Sequence, residues 1–332
     1  MQKSFVIKRI LYAIFIFFVV LTLNFFIPRL GVDDPAERYY PPQGNMSDIE
    51  YEIIKQVTRE QYGFDVSTFK QYTNYVEGLL RFDLGTSFRT GNPKVSTLIA
   101  ERLPWTLVLS VSNLVISLCI GLIFGTVAAW KRGRWQDSLL LNLSTISVAL
   151  PAFFIALILS FYFGFELELF PAYTNPNMVS QFDWSWEAIK VVFYNAALPI
   201  ISMSIGGIIG YSQRTRNSVI AVTNEEFVLT ARAKGLSQNK VLFKHTLRNA
   251  MLPIVTAVGM SLSGLIGGAV IIEQIFNWNG MGTLFLEANN TNDYPLMMGI
   301  MLFMSTIAIL ANLIVELTYS LLDPRITVGE KR

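Results

Sequence analysis

The segment Glu225–Pro253, EEFVLTARAKGLSQNKVLFKHTLRNAMLP, is polar, basic and helical in character, and it lies between two apolar runs. Ala231, Ala233 and Gly235 carry little side-chain bulk, so a second protein surface can approach this backbone closely. Phe227, Val228 and Leu236 offer apolar anchors beside them. Arg232 and Lys234 supply a positive rim, suited to acidic partner residues or to anionic lipid. The pattern predicts a helix from Ser218 to Leu236, a turn at Gly235–Ser237 and a second helix from Gln238 to Asn249. Its chemistry is docking: a knob that receives another protein. Catalysis has little to work with. The chain holds no G-x-x-x-x-G-K-S/T phosphate loop, no H-E-x-x-H and no G-x-S-x-G. A single histidine, His245, and a single cysteine, Cys119, exclude an intrachain disulfide and any thiolate or His-rich metal site. No catalytic residue and no metal site is expected, and the chemistry falls to a partner.

The elements that must position this knob are apolar. Hydrophobic residues make up 52% of the 332 and charged residues only 15%, against about 25% charged in soluble chains. The run 10–27 is too long for a signal-peptide core and is followed by Pro28-Arg29 in place of a small-residue cleavage site, so it reads as a retained span. Further spans are expected near 105–130, 138–165, 196–213, 252–276 and 296–319. Pro104 and Trp105 open the second, and Pro151 kinks the third. Gly206, Gly207 and Gly210 mark the fourth as a closely packed interior helix. Asn24, Asn113, Asn142 and Asn312 are candidates for hydrogen bonds between helices.

Basic residues set the orientation. Lys3, Lys8 and Arg9 precede the first span, and Lys131, Arg132 and Arg134 follow the second. Arg214, Arg216, Arg232, Lys234, Lys240, Lys244 and Arg248 follow the fourth, and Arg325, Lys331 and Arg332 end the chain. The loop after the third span holds only Lys190, and the loop after the fifth holds none. The positive-inside rule therefore predicts six transmembrane helices with both termini cytoplasmic. The expected organisation is an N-terminal transmembrane helix (1–28), an external subdomain (29–104) with helices near 47–62 and 66–81, and a five-helix transmembrane core (105–319). The core contains the coupling segment 214–251, and a cytoplasmic tail (320–332) follows. Trp184 and Trp186 suit a segment lying at the membrane interface. Ionisable residues in the spans are scarce. Glu273 and Glu316 sit near span ends, within reach of water, which favours capping or gating over proton coupling.

TARAKGLSQNKVLFKHTLRNAMLP resembles the cytoplasmic signature of inner-membrane permease subunits of binding-protein-dependent ABC importers, in particular the B-type permease of the oligopeptide, dipeptide and nickel group. FDLGTSFRTGNPKVSTLIAERLPWTL (82–107), GGAVIIEQIFNWNGMG (267–282), DYPLMMGIMLF (293–303) and LDPRI (322–326) are similar to further stretches of the same family, in the same order. The general signature begins Glu-Ala-Ala where this chain has Leu229-Thr230-Ala231, and the distance from Gly235 to Pro253 exceeds the general spacing; both fit the peptide subgroup. Asn279 stands where a proline is common, and PAERYYPPQGNMSD lengthens the segment after the first span.

The resemblance implies an all-α polytopic membrane protein with the type I ABC importer permease fold, in a bacterial or archaeal plasma membrane. It implies a pathway shared with a second homologous permease, two ATP-binding subunits beneath that bind the ATP and Mg, and an external or periplasmic substrate-binding protein that delivers a peptide. The lipid bilayer is the remaining partner, and no nucleic acid is expected. Phe227, Ala231, Arg232, Ala233, Lys234 and Gly235 are the residues expected to couple to the ATPase, and Gly267, Gly268 and Glu273 the pathway or gate. Other cargo on the same architecture, such as nickel or another metal chelate, an opine or a haem, stays open at this point, as does a motor-free channel or scaffold.

Overall fold

The computed structural model describes residues 3–30, 47–174, 185–264 and 269–322, together with Ala36 and Asp183. Pro35, Pro41, Pro42, Gly44, Trp184 and the tail from 323 lie outside them. Regular structure among the described residues is helical, and a lone bridge joins Thr86 to Lys94.

Helix α1 (Lys3–Phe26) carries its charges in the first turns and is apolar from there on. Its 24 residues reach about 36 Å at 1.5 Å each, more than the ~30 Å of a hydrocarbon core. Helices α2 (Asp48–Tyr62) and α3 (Thr68–Leu80) follow. Ser47 and Glu50 form a reciprocal capping box on α2, and Gly63, at φ 67°, ends it. Tyr72 of α3 stacks on Phe26 and shares a 2.9 Å hydrogen bond with Thr22, so α3 rests on the far end of α1.

Helix α4 (Val95–Trp130) starts well before the expected 105. Pro104 lies inside it and does not open it. The turns ahead of that proline persist because Val95 and Ile99 are buried against Leu284, Leu296 and Ile300, and this packing outweighs the lost backbone bond. Helix α7 (Trp186–Thr223) likewise exceeds the expected 196–213 and carries Pro199 within it. The third expected span is a sharper departure. Trp135–Ala149 (α5) and Ala152–Leu159 (α6), which continues as a π-helix through Glu166, meet at 95° across Pro151. Leu150 is held extended ahead of the proline, as the ring requires. Each leg is about 22 Å long, short of the core thickness.

Short helix α8 (Glu226–Ala233) and the turn Gln238–Lys240 lead through a π-helix, Val241–Leu247, into α9 (Arg248–Ser263). Helices α10 (Val270–Ile275), α11 (Met281–Asn290) and α12 (Tyr294–Leu322) complete the chain. The expected span 252–276 is thus α9 plus α10, with 265–268 outside the described residues. Helices α1, α4, α7 and α12 are each long and apolar enough to cross a membrane, and the bent pair α5–α6 is a fifth candidate.

Two contacts define the axis. Asn24 donates to the Met298 carbonyl at 2.7 Å, and Arg9 pairs with Glu316 at 3.4 Å. Helices α1 and α12 are therefore antiparallel, and the start of one lies beside the end of the other. Gly299 faces Val95, so α4 begins at the Asn24 end and finishes, at Trp130, toward the Arg9 end.

The α4–α7 pair forms the centre. A Cβ at Gly121 would strike Tyr211, and one at Gly125 would strike the Ser212 backbone and Thr215. These glycines let the two backbones touch. Of the expected contact glycines of α7, Gly207 meets Ser117 closely, whereas Gly206 and Gly210 face open space. Gly125→Ala is therefore expected to cost about 1–3 kcal/mol, and Gly206→Ala to be neutral or to gain up to about 1 kcal/mol. Thermal unfolding of the detergent-purified variants checks this; equal melting temperatures would refute the contact.

Candidate functional site

The knob starts at a break, not on a continuous helix. Helix α7 ends at Thr223, and α8 begins at Glu226 after two intervening residues, the second of them an extended Glu225. Gly235 closes α8 at φ 73°, its N–H reaching the Arg232 carbonyl at 2.9 Å. Any side chain would strain this left-handed position. Val228, Ala231 and Val241 form a buried cluster against Trp130, Val222 and Leu236. Ala231 and Val228 are thus corrected: both are spent inside the chain and are closed to a partner. Helical phase explains it, because 228 and 231 share one face of α8. Phe227, Arg232, Ala233, Lys234 and Gly235 are exposed. Leu229 and Phe243, which sequence reasoning missed, are exposed apolar neighbours. The Arg232 guanidinium lies 5.8 Å from the Trp130 ring.

The knob is bolted to the bundle. Ser218 donates to the Ala250 carbonyl at 2.7 Å. Ala129, Val219, Leu242 and Ala250 pack together. Arg216 binds Asp137 through two nitrogens, with Nη2 to Oδ2 at 3.1 Å, and Asp137 accepts from the Gly133 N–H at 2.9 Å. This forked pairing ties the end of α7 to the start of α5.

Glu273 is wholly buried, not within reach of water as expected. Its Oε1 accepts from Thr106 Oγ1 at 2.6 Å, and its Oε2 accepts from the Gly282 and Thr283 N–H groups at 2.7 and 3.1 Å. Those two N–H groups belong to the first turn of α11, so the carboxylate caps that helix. Thr106 Oγ1 in turn accepts from the Met281 N–H at 2.7 Å. A Cβ at Gly280 or Gly282 would collide with the carboxylate, which explains both glycines. Trp278 Nε1 donates to the Trp105 carbonyl at 2.9 Å, and Arg102 donates to Asn279 at 2.5 Å. The loop Asn277–Gly280 is thereby fastened to α4. Gly267 and Gly268 lie outside the described residues.

The open space of the bundle lies elsewhere. A trough of about 440 Å³ runs between α4 and α7, lined by Ser110, Asn113, Ser117, Gly206, Gly210 and Arg214, with Ser261 of α9 opposite. Glu273 is not among the lining residues, although its neighbour Ile272 is. The signal for this trough was in the sequence: Gly206 and Gly210 are four residues apart, and Ser110, Asn113 and Ser117 recur at helical spacing.

Residues 121–328 match the family of binding-protein-dependent transport system inner membrane components. The chain belongs to that family, and with its long apolar helices it is a multi-pass membrane protein. It is similar along nearly its full length to named permeases. The oligopeptide transport system permease protein AppB of Bacillus subtilis (strain 168) is 33% identical over 326 residues, covering 98% of this chain and 99% of that protein. OppB of Haemophilus influenzae, an oligopeptide transport system permease protein, is 32% identical over 325 residues, with 97% and 99% covered. The dipeptide transport system permease protein DppB of Bacillus subtilis (strain 168) is 31% identical over 330 residues, with 99% and 100% covered.

Removing the Glu273 carboxylate would orphan three buried donors. Glu273→Ala is expected to lower stability on the order of 3 kcal/mol, and Glu273→Gln, which keeps one acceptor, to lose less. Melting temperatures in detergent check the order; an unchanged Glu273→Ala protein would remove the cap.

Proposed function

We propose that the chain is the permease subunit of an ATP-driven ABC importer for oligopeptides or dipeptides, forming the pathway with a second homologous permease. The names of its full-length relatives support the cargo class. The observation that carries the mechanism is the continuity of α7. One helix lines the trough at Gly206–Arg214 and ends at Thr223, directly above the sealed base of the knob. A push on the knob is therefore delivered to the trough wall.

In this reading one of two ATP-binding subunits docks against the exposed Phe227, Leu229, Arg232, Ala233, Lys234 and Gly235 of this chain, the other against the second permease, and the pair binds the ATP and Mg. An external binding protein delivers substrate at the Asn24 end. Closure of the ATPase pair moves the knob and shifts the population between outward-open and inward-open states. The chain itself contributes no catalytic group. Six crossings follow if α5–α6 make the third and α9 with α10 the fifth, with both termini cytoplasmic in a bacterial or archaeal plasma membrane.

Co-purification from the native membrane tests the assembly: a second permease and phosphate-loop ATPases should accompany this chain, and its recovery alone would sink the reading. Phe227→Ala combined with Leu229→Ala tests the coupling. Both side chains are exposed, so the melting temperature should hold, while substrate-stimulated ATP hydrolysis in the reconstituted complex should fall at least about tenfold, the equivalent of 1.4 kcal/mol. Undiminished stimulation would remove α8 from the coupling path.

A further inference from the structure

Arg214 stands apart from the other cations of its helix. Arg216, two residues on, is committed to Asp137. Among the described residues no carboxylate pairs with Arg214; its recorded contact is the Tyr211 ring, 5.8 Å away. Of the residues lining the trough, Arg214 alone is charged. The remaining polar groups are neutral hydroxyls and one amide: Ser110, Ser117, Ser261, Tyr211 and Asn113.

The geometry of α7 adds a length. Gly206, Gly210 and Arg214 follow one another at steps of four, so they form a single stripe. A Cβ at Gly206 or Gly210 would meet nothing within 4 Å. The floor leading up to the guanidinium is therefore bare backbone. From Gly206 to Arg214 the rise is about 12 Å at 1.5 Å per residue. An extended chain advances roughly 3.3–3.6 Å per residue, so the stripe matches about three or four residues of peptide. Ser117 Oγ donates to the Asn113 side-chain oxygen Oδ1 at 3.0 Å, which leaves the side-chain Nδ2 hydrogens for a main-chain carbonyl of the ligand.

We infer that the trough is a carboxylate-anchored peptide site, in which Arg214 binds the free α-carboxylate of an extended tri- or tetrapeptide whose backbone lies along Gly210 and Gly206. This rests on the importer reading above and adds the cargo's orientation: carboxylate toward the knob. A planar guanidinium takes a carboxylate through two parallel N–H bonds. Neutral hydroxyls and a glycine floor make no demand on side chains. Recognition thus falls on the one group that every unmodified peptide shares.

The test uses the whole complex, with its binding protein, in vesicles of phosphatidylcholine. Uptake of tetra-alanine and of its C-terminal amide is measured for wild type, Arg214→Gln and Arg214→Lys. The ratio of mutant to wild type for each peptide cancels any preference of the binding protein. Arg214→Gln is expected to reduce free-acid uptake about tenfold, or 1.4 kcal/mol, and to leave amide uptake unchanged, with Arg214→Lys between. Equal loss on both peptides, or no loss, overturns the site. An effect seen only after adding anionic phosphatidylglycerol, and on both peptides, assigns Arg214 to a lipid headgroup and overturns it too. A wild-type complex that moves neither peptide refutes peptide import itself. The carboxylate site is then read separately, by phenylglyoxal modification of Arg214 in the purified complex. Protection by tetra-alanine and not by its amide upholds the site, and equal modification overturns it.

Discussion

The bundle depends on one close approach, that of α4 to α7 at Gly121 and Gly125. In a membrane the hydrophobic effect does not draw helices together, because lipid tails solvate apolar side chains as well as a neighbouring helix does. Association must come from dispersion at short range, and only a missing Cβ lets two backbones come that near. Tyr211, Ser212 and Thr215 fill the space that the glycines vacate. Ser212 and Thr215 are fully buried, and their hydroxyl oxygens find no partner among the described residues. They are tolerated because they are small, and the contact depends on size more than on hydrogen bonds.

The two helices stay together beyond this contact: Gly207 meets Ser117, and further out Trp105 and Leu109 pack on Val192, Ala196 and Ile200. On the trough face Gly206, one residue before Gly207, and Gly210, three after it, meet nothing. A glycine-rich stretch of one helix therefore serves two opposite ends, closure on one side of the helix and vacancy on another. The outer portion of α4 has further partners besides α7, with Val95 and Ile99 in an apolar cluster and Thr106 bonded to the Glu273 cap. Pro104 falls between those fixings, where a missing backbone bond costs least because the neighbouring turns are already anchored.

Apolar runs, the capped helices after residue 47 and the existence of a knob were legible in the sequence, because they rest on local pattern. What was not legible was long-range. The start of the second span was misplaced because Pro104 signals a boundary locally, whereas burial of Val95 and Ile99 against distant residues overrides it. Pro151 was read as a kink, yet the 95° turn depends on what flanks both legs. Ala231 looked like a partner's landing site because the Ala-x-Ala-x-Gly spacing was read without its helical phase. Counting three residues back to Val228 puts it inward. Glu273 was placed near water because its position along the chain was known and its surroundings were not. The two glycines at 280 and 282 were the available clue, since a buried carboxylate needs backbone close enough to donate.

Two of the buried carboxylates among the described residues, Asp137 and Glu273, show how differently such a charge can be accommodated. Asp137 has a guanidinium on both oxygens and a backbone N–H besides, so charge meets charge. Among the described residues Glu273 has no cation in hydrogen-bond contact, and it relies on a hydroxyl and the first N–H groups of α11. Backbone donors are fixed by the helix they belong to, so Glu273 cannot move without carrying α11 and the Trp278 loop with it. The Arg216 guanidinium meets both Asp137 oxygens as a planar fork, so that pair is fixed in direction as well as in distance. Both carboxylates thus tie helices together, Glu273 through backbone donors of α11 and Asp137 through a side chain of α7.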